Sequence, residues 1–238
     1  MCRAKDHGGR RCETNNVRRR DRYAVKTSAL MVDQVISKHG QEWTGDVKEI
    51  GLEINSPLIA KAYAISVRAH SGVKRKSGEV YVNHPLRVAQ SLQSAGFNDE
   101  VVAIGLLHDA VEDSPLTLGQ LRKYGFNERV VSGVDSVTKR DGEPYVEAIE
   151  RATSHPLGRL VKLSDNWDNS SDEQLAPFDE AKQQKQRAKY TPARQKILRM
   201  IVENPTDYML ARHPAFSATY KIKVAGARFD TPFDPPAK

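Results

Sequence analysis

The feature that most restricts the fold is the run Val101-Val102-Ala103-Ile104-Gly105-Leu106-Leu107, followed at once by His108-Asp109-Ala110-Val111-Glu112-Asp113. Asn98 or Asp99 supplies an N-cap and no proline intervenes before Pro115, so the run reads as a helix with a buried start. On a helix, residues four apart share a face, which places His108 with Glu112 and Asp109 with Asp113. An imidazole and three carboxylates at a helix end admit two readings. One is an ordinary solvated last turn; the other is a bound cation that relieves the repulsion among the carboxylates.

The rest of the chain also reads as helix. A first helix is expected over Ser28–His39. Ser56-Pro57 opens another, with Leu58, Ile59, Ala62, Ile65 and Ala69 at helical spacing. Pro85 opens a helix bearing Leu86, Val88, Ala89 and Leu92. Thr117 caps a short helix, and Asn127 caps one with Val130, Val131, Val134 and Val137 on one face. Tyr145–Ser154 is expected to turn Val146 and Ile149 inward. Pro156 starts a helix with Leu157, Leu160, Val161 and Leu163, and a long last helix runs from Phe178 to Glu203, interrupted or kinked near Pro192. No stretch alternates as a strand. The expectation is an all-α bundle of about eight to ten helices.

Charge separates the chain into parts. Residues 1–27 carry nine Lys and Arg against three Asp and Glu, while the remainder carries 28 against 27. The basic character therefore belongs to an N-terminal tail that is expected to be disordered, with nucleic acid as a partner only through that tail. Residues 28–203 are expected to form the folded domain, and residues 204–238 a loosely attached tail. No apolar run is long enough for a membrane span, no signal peptide is evident, and both cysteines, Cys2 and Cys12, sit in the tail. A cytoplasmic location is expected.

Three separated signals sit at helix ends or mouths: His84 before Pro85, His108-Asp109, and Asp165 behind the stripe Leu157–Leu163. In a compact bundle they can converge as a mixed nitrogen and oxygen site for a divalent ion. Such an ion lowers the pKa of bound water and polarises a phosphoryl oxygen. Glu112 and Asp113, one turn from His108-Asp109, are placed to position or deprotonate that water. The loop Lys74-Arg75-Lys76-Ser77-Gly78 offers charge and backbone N–H to a phosphorylated substrate.

Ala69-His70-Ser71-Gly72, Arg75–Glu79, Tyr81-Val82-Asn83-His84-Pro85-Leu86, His108–Asp113, Val137-Thr138-Lys139 and Val161–Asp165 occur in this order. Through them the chain, from about Leu58 to Leu175, resembles the HD-domain hydrolases of the RelA/SpoT type, including the small alarmone hydrolases. The resemblance implies Mn²⁺ held by His84, His108, Asp109 and Asp165, with Glu112 and Asp113 orienting the attacking water. It implies Arg75 against a base, and Lys76, Ser77, Lys139 and Asn169 among the substrate contacts. The implied reaction removes the 3′-pyrophosphate of guanosine tetra- or pentaphosphate. With so few residues after Leu175, no appended synthetase domain is expected. The chain departs from the family pattern at Asn166 and at Ser170-Ser171-Asp172-Glu173, which are expected to border the substrate pocket. The departures keep open a phosphatase for another nucleotide, such as NADPH or an adenosine alarmone, and a nucleotide sensor without turnover.

Overall fold

The computed structural model describes residues 50–204, Asp207, Ala211 and the backbone of Lys223–Val224 and Ala227–Arg228. The expected basic tail 1–27 and the helix Ser28–His39 lie outside the described residues. Among the described residues there are nine helices: α1 (Pro57–Ala69), α2 (Asn83–Ser94), α3 (Asp99–Leu107), α4 (Leu118–Lys123), α5 (Glu128–Val137), α6 (Tyr145–Ser154), α7 (Pro156–Asn169), α8 (Asp172–Leu175) and α9 (Glu180–Glu203). The all-α expectation holds. None of these helices is long and apolar enough to cross a membrane.

Local chemistry sets the starts. Ser56 accepts from Ile59 N with Pro57 just inside α1; Asn98 accepts from Val101 N, and Thr117 with Gln120 forms a reciprocal box at α4. His155 caps α7 through its ring nitrogen Nδ1, which accepts from Leu157 N at 3.2 Å and Gly158 N at 3.0 Å.

Helix α3 lies at the centre. All of Val101 to Leu107 is buried, and the helix packs against α1, α2, α5 and α7. A helix apolar on every side has nowhere else to go. Glycines let its neighbours approach: a Cβ on Gly105 would sit 2.7 Å from Leu92 Cδ1 and 3.3 Å from Ala89 Cα on α2. Gly133 of α5 abuts Ile104 of α3 in the same way, and Gly158 of α7 abuts Ser136 of α5.

Several expectations change. Helix α3 ends at Leu107, and residues 108–112 form successive turns rather than more helix. Asp113 N still bonds Asp109 O at 2.9 Å, so one helical turn of spacing survives without a continued helix. His84 lies inside the first turn of α2 instead of ahead of it; Pro85 costs nothing there, because early N–H groups have no intrahelical acceptor. Val146 is exposed, and α6 buries Ala148, Ile149, Ala152 and Thr153 instead. Pro192 sits inside α9 without ending it.

The packing also continues past Glu203. Ala211 is buried and its carbonyl accepts from Asn98 N at 2.8 Å, while Arg159 Nη1 lies 3.6 Å from Asp207 Oδ2. Lys223–Val224 pairs antiparallel with Ala227–Arg228, two residues on each side, which is too short to show as alternation.

Candidate metal centre

The buried face shared by α2, α7 and the end of α3 brings the four expected ligands together. His84 comes from the first turn of α2, His108 and Asp109 follow α3, and Asp165 lies in the last third of α7. His84 Nε2 and His108 Nε2 are 3.2 Å apart, with rings crossed edge-on at 75°. Asp165 Oδ1 is 3.2 Å from His84 Nε2 and 3.8 Å from His108 Nε2. Asp109 Oδ2 is 3.5 Å and 3.2 Å from the same two nitrogens. His84, His108 and Asp165 are all buried, and their converging atoms lie within 4.8 Å of one another.

The donor set fits a divalent ion on internal grounds. His108 Nδ1 donates to Gly105 O at 2.8 Å, and His84 Nδ1 donates to Asp168 Oδ2 at 2.7 Å. Each neutral ring therefore presents its Nε2 lone pair to the centre. Two lone pairs and two carboxylates facing one buried point repel one another unless a cation lies between them. Burial lowers the His84 pKa, but the hydrogen bonds to Asp165 and Asp168 outweigh it and push it up to about 9.

Neighbouring side chains hold the carboxylates. Tyr81 Oη donates to Asp109 Oδ2 at 2.9 Å. Asp165 Oδ2 pairs with Lys162 Nζ at 2.7 Å, and Asp165 Oδ1 accepts from Asn169 Nδ2. Lys162 is kept charged by Asp165 against the effect of its own burial, and Asp165 in turn is held well below the usual carboxylate range by Lys162 and the imidazoles despite its burial.

Glu112 and Asp113 sit beyond this cluster on the solvent side. Partial burial first, and the Asp109 charge second, raise both carboxyl groups above their ordinary range. His108 and Glu112 are committed to different partners. His108 turns back to Gly105, and Glu112 Oε2 accepts from Lys139 N at 3.2 Å. Once the helix stops at Leu107, side chains four apart are free to diverge.

The residues expected at the substrate separate. Arg75 is in the cluster: Nη2 donates to Asn169 Oδ1 at 2.6 Å and Nη1 to Asp168 Oδ2 at 3.3 Å. Asn169 thus joins Arg75 to Asp165. Lys76 and Lys139 are exposed, and Ser77 Oγ is buried without a hydrogen-bond partner. The loop of Lys76 and Ser77 is shaped by Arg75 N donating to Glu79 O at 2.8 Å and by Gly78 at φ 89°, which favours glycine. Asn166 does not border an open pocket. It is fully buried and donates to Tyr190 O at 3.1 Å, tying α7 to α9, while Ser171 caps α8 and Asp172 pairs with Arg187.

Sequence reasoning assigned no part to Asp168, Arg87, Glu79, Tyr81, Lys162 or His70. Asp168 follows Asp165 by three residues and Arg87 follows His84 by three, so the i, i+3 spacing along α7 and α2 was the available signal. His70 gave no such signal. It is buried, donates from Nδ1 to Ser66 O at 2.8 Å, stacks on Tyr81 at 5.0 Å, and turns Nε2 toward Asp113 Oδ2 at 3.7 Å.

The model of the HD domain matches residues 62–206, and the chain belongs to that family. Among relatives, it is 37% identical over 119 residues to a guanosine-3′,5′-bis(diphosphate) 3′-pyrophosphohydrolase of Aquifex aeolicus, covering 47% of this chain and 17% of that protein. It is 38% identical over 120 residues to a GTP pyrophosphokinase of Streptomyces coelicolor, covering 47% of this chain and 14% of that protein. The chain thus matches less than a fifth of either relative's length. A solved structure described as a metazoan ortholog of SpoT that hydrolyzes ppGpp and plays a role in starvation responses matches with a TM-score of 0.53 and 21% identity, over 67% of this chain and 98% of that one. At that identity the match speaks for the fold.

Proposed function

We propose that the protein is a divalent-metal hydrolase that removes the 3′-pyrophosphate from guanosine tetra- or pentaphosphate, leaving GDP or GTP. The observation that carries the metal part is the pair of imidazoles with both Nδ1 atoms engaged and both Nε2 atoms 3.2 Å apart between Asp109 and Asp165. The nucleotide part is supported by the 3′-pyrophosphohydrolase activity for which the Aquifex relative is named and by a cationic loop beside the cluster.

His84, His108, Asp109 and Asp165 would hold the ion, which we take to be Mn²⁺. When bound, it supplies an acidified water and neutralises charge on the phosphoryl group. Glu112 and Asp113, whose carboxyl pKa values are pushed above their ordinary range by partial burial and the Asp109 charge, take the proton of the attacking water and return one to the leaving 3′-oxygen. Tyr81 and Lys162 fix the two ligand carboxylates by hydrogen bonds. Arg75 and Asn169 bind the nucleoside side, and Lys76, Ser77 and Lys139 meet the phosphates. We place the enzyme in the cytoplasm, where this substrate class is made.

The test is purified full-length protein with Mn²⁺, Zn²⁺, Co²⁺ or Fe²⁺ and a panel of guanosine tetraphosphate, NADPH and an adenosine alarmone. Pyrophosphate release from guanosine tetraphosphate with Mn²⁺ is expected. Orthophosphate release from NADPH would assign a different phosphatase. Tight binding without any product would assign a sensor.

A further inference from the structure

Asp168 and Arg87 lie in neither the expected ligand set nor the expected substrate contacts, yet more hydrogen bonds meet there than at any ligand carboxylate. Asp168 Oδ2 accepts from His84 Nδ1 at 2.7 Å, Arg87 Nη2 at 3.1 Å and Arg75 Nη1 at 3.3 Å; Oδ1 accepts from Arg87 Nε at 2.6 Å. Arg87 also grips Glu79, with both terminal nitrogens on its two carboxylate oxygens. Glu79 and Arg75 stand at the two ends of the basic loop, joined by Arg75 N to Glu79 O at 2.8 Å. One carboxylate on α7 therefore fixes a metal-ligand ring and, through two arginines, the loop that faces the substrate. His84 and Asp168 are held on different helices, so neither group can shift without moving the other.

We propose that Asp168, clamped by Arg87, is a positioning residue that couples the two halves of the site: it sets the His84 tautomer for the metal and holds the Arg75 loop for the nucleotide, making metal and nucleotide binding cooperative. The nucleotide half rests on the function proposed above. The metal half does not. The sign of the Arg87 effect separates positioning from simple charge. Removing a cation beside a cation site strengthens binding of a divalent ion if only Coulomb forces count. Losing the grip on Asp168 weakens it, as removal of partners behind a ligating histidine typically does, by about 10–100-fold.

The experiment measures Mn²⁺ binding by calorimetry on the full chain for the wild type, Asp168→Asn and Arg87→Met, with circular dichroism to verify folding. A loss of about 10-fold or more in both variants is expected; unchanged or tighter Mn²⁺ binding in Arg87→Met overturns the proposal. If Arg87→Met does not fold, Arg87→Lys replaces it. Lysine keeps the charge but not the paired fork, so the same loss is expected. In the second arm, GDP is titrated with and without Mn²⁺. GDP lacks the 3′-pyrophosphate, so coupling cannot come from that group meeting the ion. Wild type is expected to bind GDP about 5–150-fold more tightly with Mn²⁺, and Asp168→Asn to bind it equally with and without. Coupling that survives in Asp168→Asn overturns the proposal. Failure of wild type to bind GDP at all counts against the nucleotide reading and the coupling, while the Mn²⁺ arm still decides the positioning of His84.

Discussion

At the scale of single residues, the site depends on which atom of each group is already committed. His108 contributes only because Gly105 O occupies Nδ1, and His84 only because Asp168 does. His108→Ala removes a ligand without disturbing a helix interior, since α3 has ended one residue earlier; Mn²⁺ binding and turnover should both be lost with helical circular dichroism nearly unchanged. Glu112→Gln is the informative contrast. Its carboxylate contacts Lys139 N rather than the ligands, so Mn²⁺ affinity should stay within a few-fold while kcat drops about 10²-fold or more. A wild-type kcat in that variant would remove Glu112 from the water-activating role. The four proposed ligands were legible in the sequence because His84 stands at a helix mouth and His108, Asp109 and Asp165 close apolar runs. Asp168 and Arg87 were not, since an Asp three residues after a ligand and an Arg three residues after a histidine look like ordinary helix surface until another helix faces them.

At the scale of elements, three glycines set how closely the ligand-bearing helices approach. Gly105 faces the Ala89 backbone of α2, and a Cβ on Gly158 would meet Ser136 and the Ala152 carbonyl. Backbone and short side chains cannot move aside as a long side chain does. Gly158→Ala is therefore expected to destabilise the fold by about 1–3 kcal/mol, read as a lower urea midpoint at unchanged slope. Gly105→Ala should cost a similar amount and also weaken Mn²⁺ binding, because α2 carries His84 while the chain end of α3 carries His108. Equal Mn²⁺ affinity in Gly105→Ala would mean that the cluster tolerates a shift between those helices. Helix starts were readable from Ser56-Pro57, Asn98, Thr117 and Asn127, since capping is local chemistry. The end of α3 was not. Nothing in His108–Asp113 forbids a further turn, and the chain leaves the helix where His108 is drawn back to Gly105 and Asp109 toward Tyr81 and the imidazoles.

At the scale of the whole molecule, the proposed site ties stability to metal binding through the buried cluster. In the metal-free protein His84 is pushed up to about 9 from an ordinary 6.5. A group raised on folding stabilises fully below its unfolded value and loses that contribution as pH rises through its folded value. The melting temperature of the metal-free protein should therefore fall as pH rises from 6.5 through about 9. Mn²⁺ should restore it at the alkaline end, because the ion takes the deprotonated ring. A metal-free melting temperature that stays flat across this window, or that Mn²⁺ does not raise, would contradict a shared cation site. With free Mn²⁺ at 100 times its dissociation constant, the gain is about 2.7 kcal/mol, and it should vanish in His108→Ala.

What the sequence determined alone was the helical class, most helix starts and the identity of the four converging groups, because periodicity, capping and side-chain chemistry act over a few neighbouring residues. Tertiary structure decided the rest: where α3 stops, that Val146 faces solvent, that Asn166 locks α9 rather than lining a pocket, and that Asp168 ties His84 to Arg75. Each of these depends on what packs opposite, and a side chain's partner on another element has no trace in its immediate neighbours.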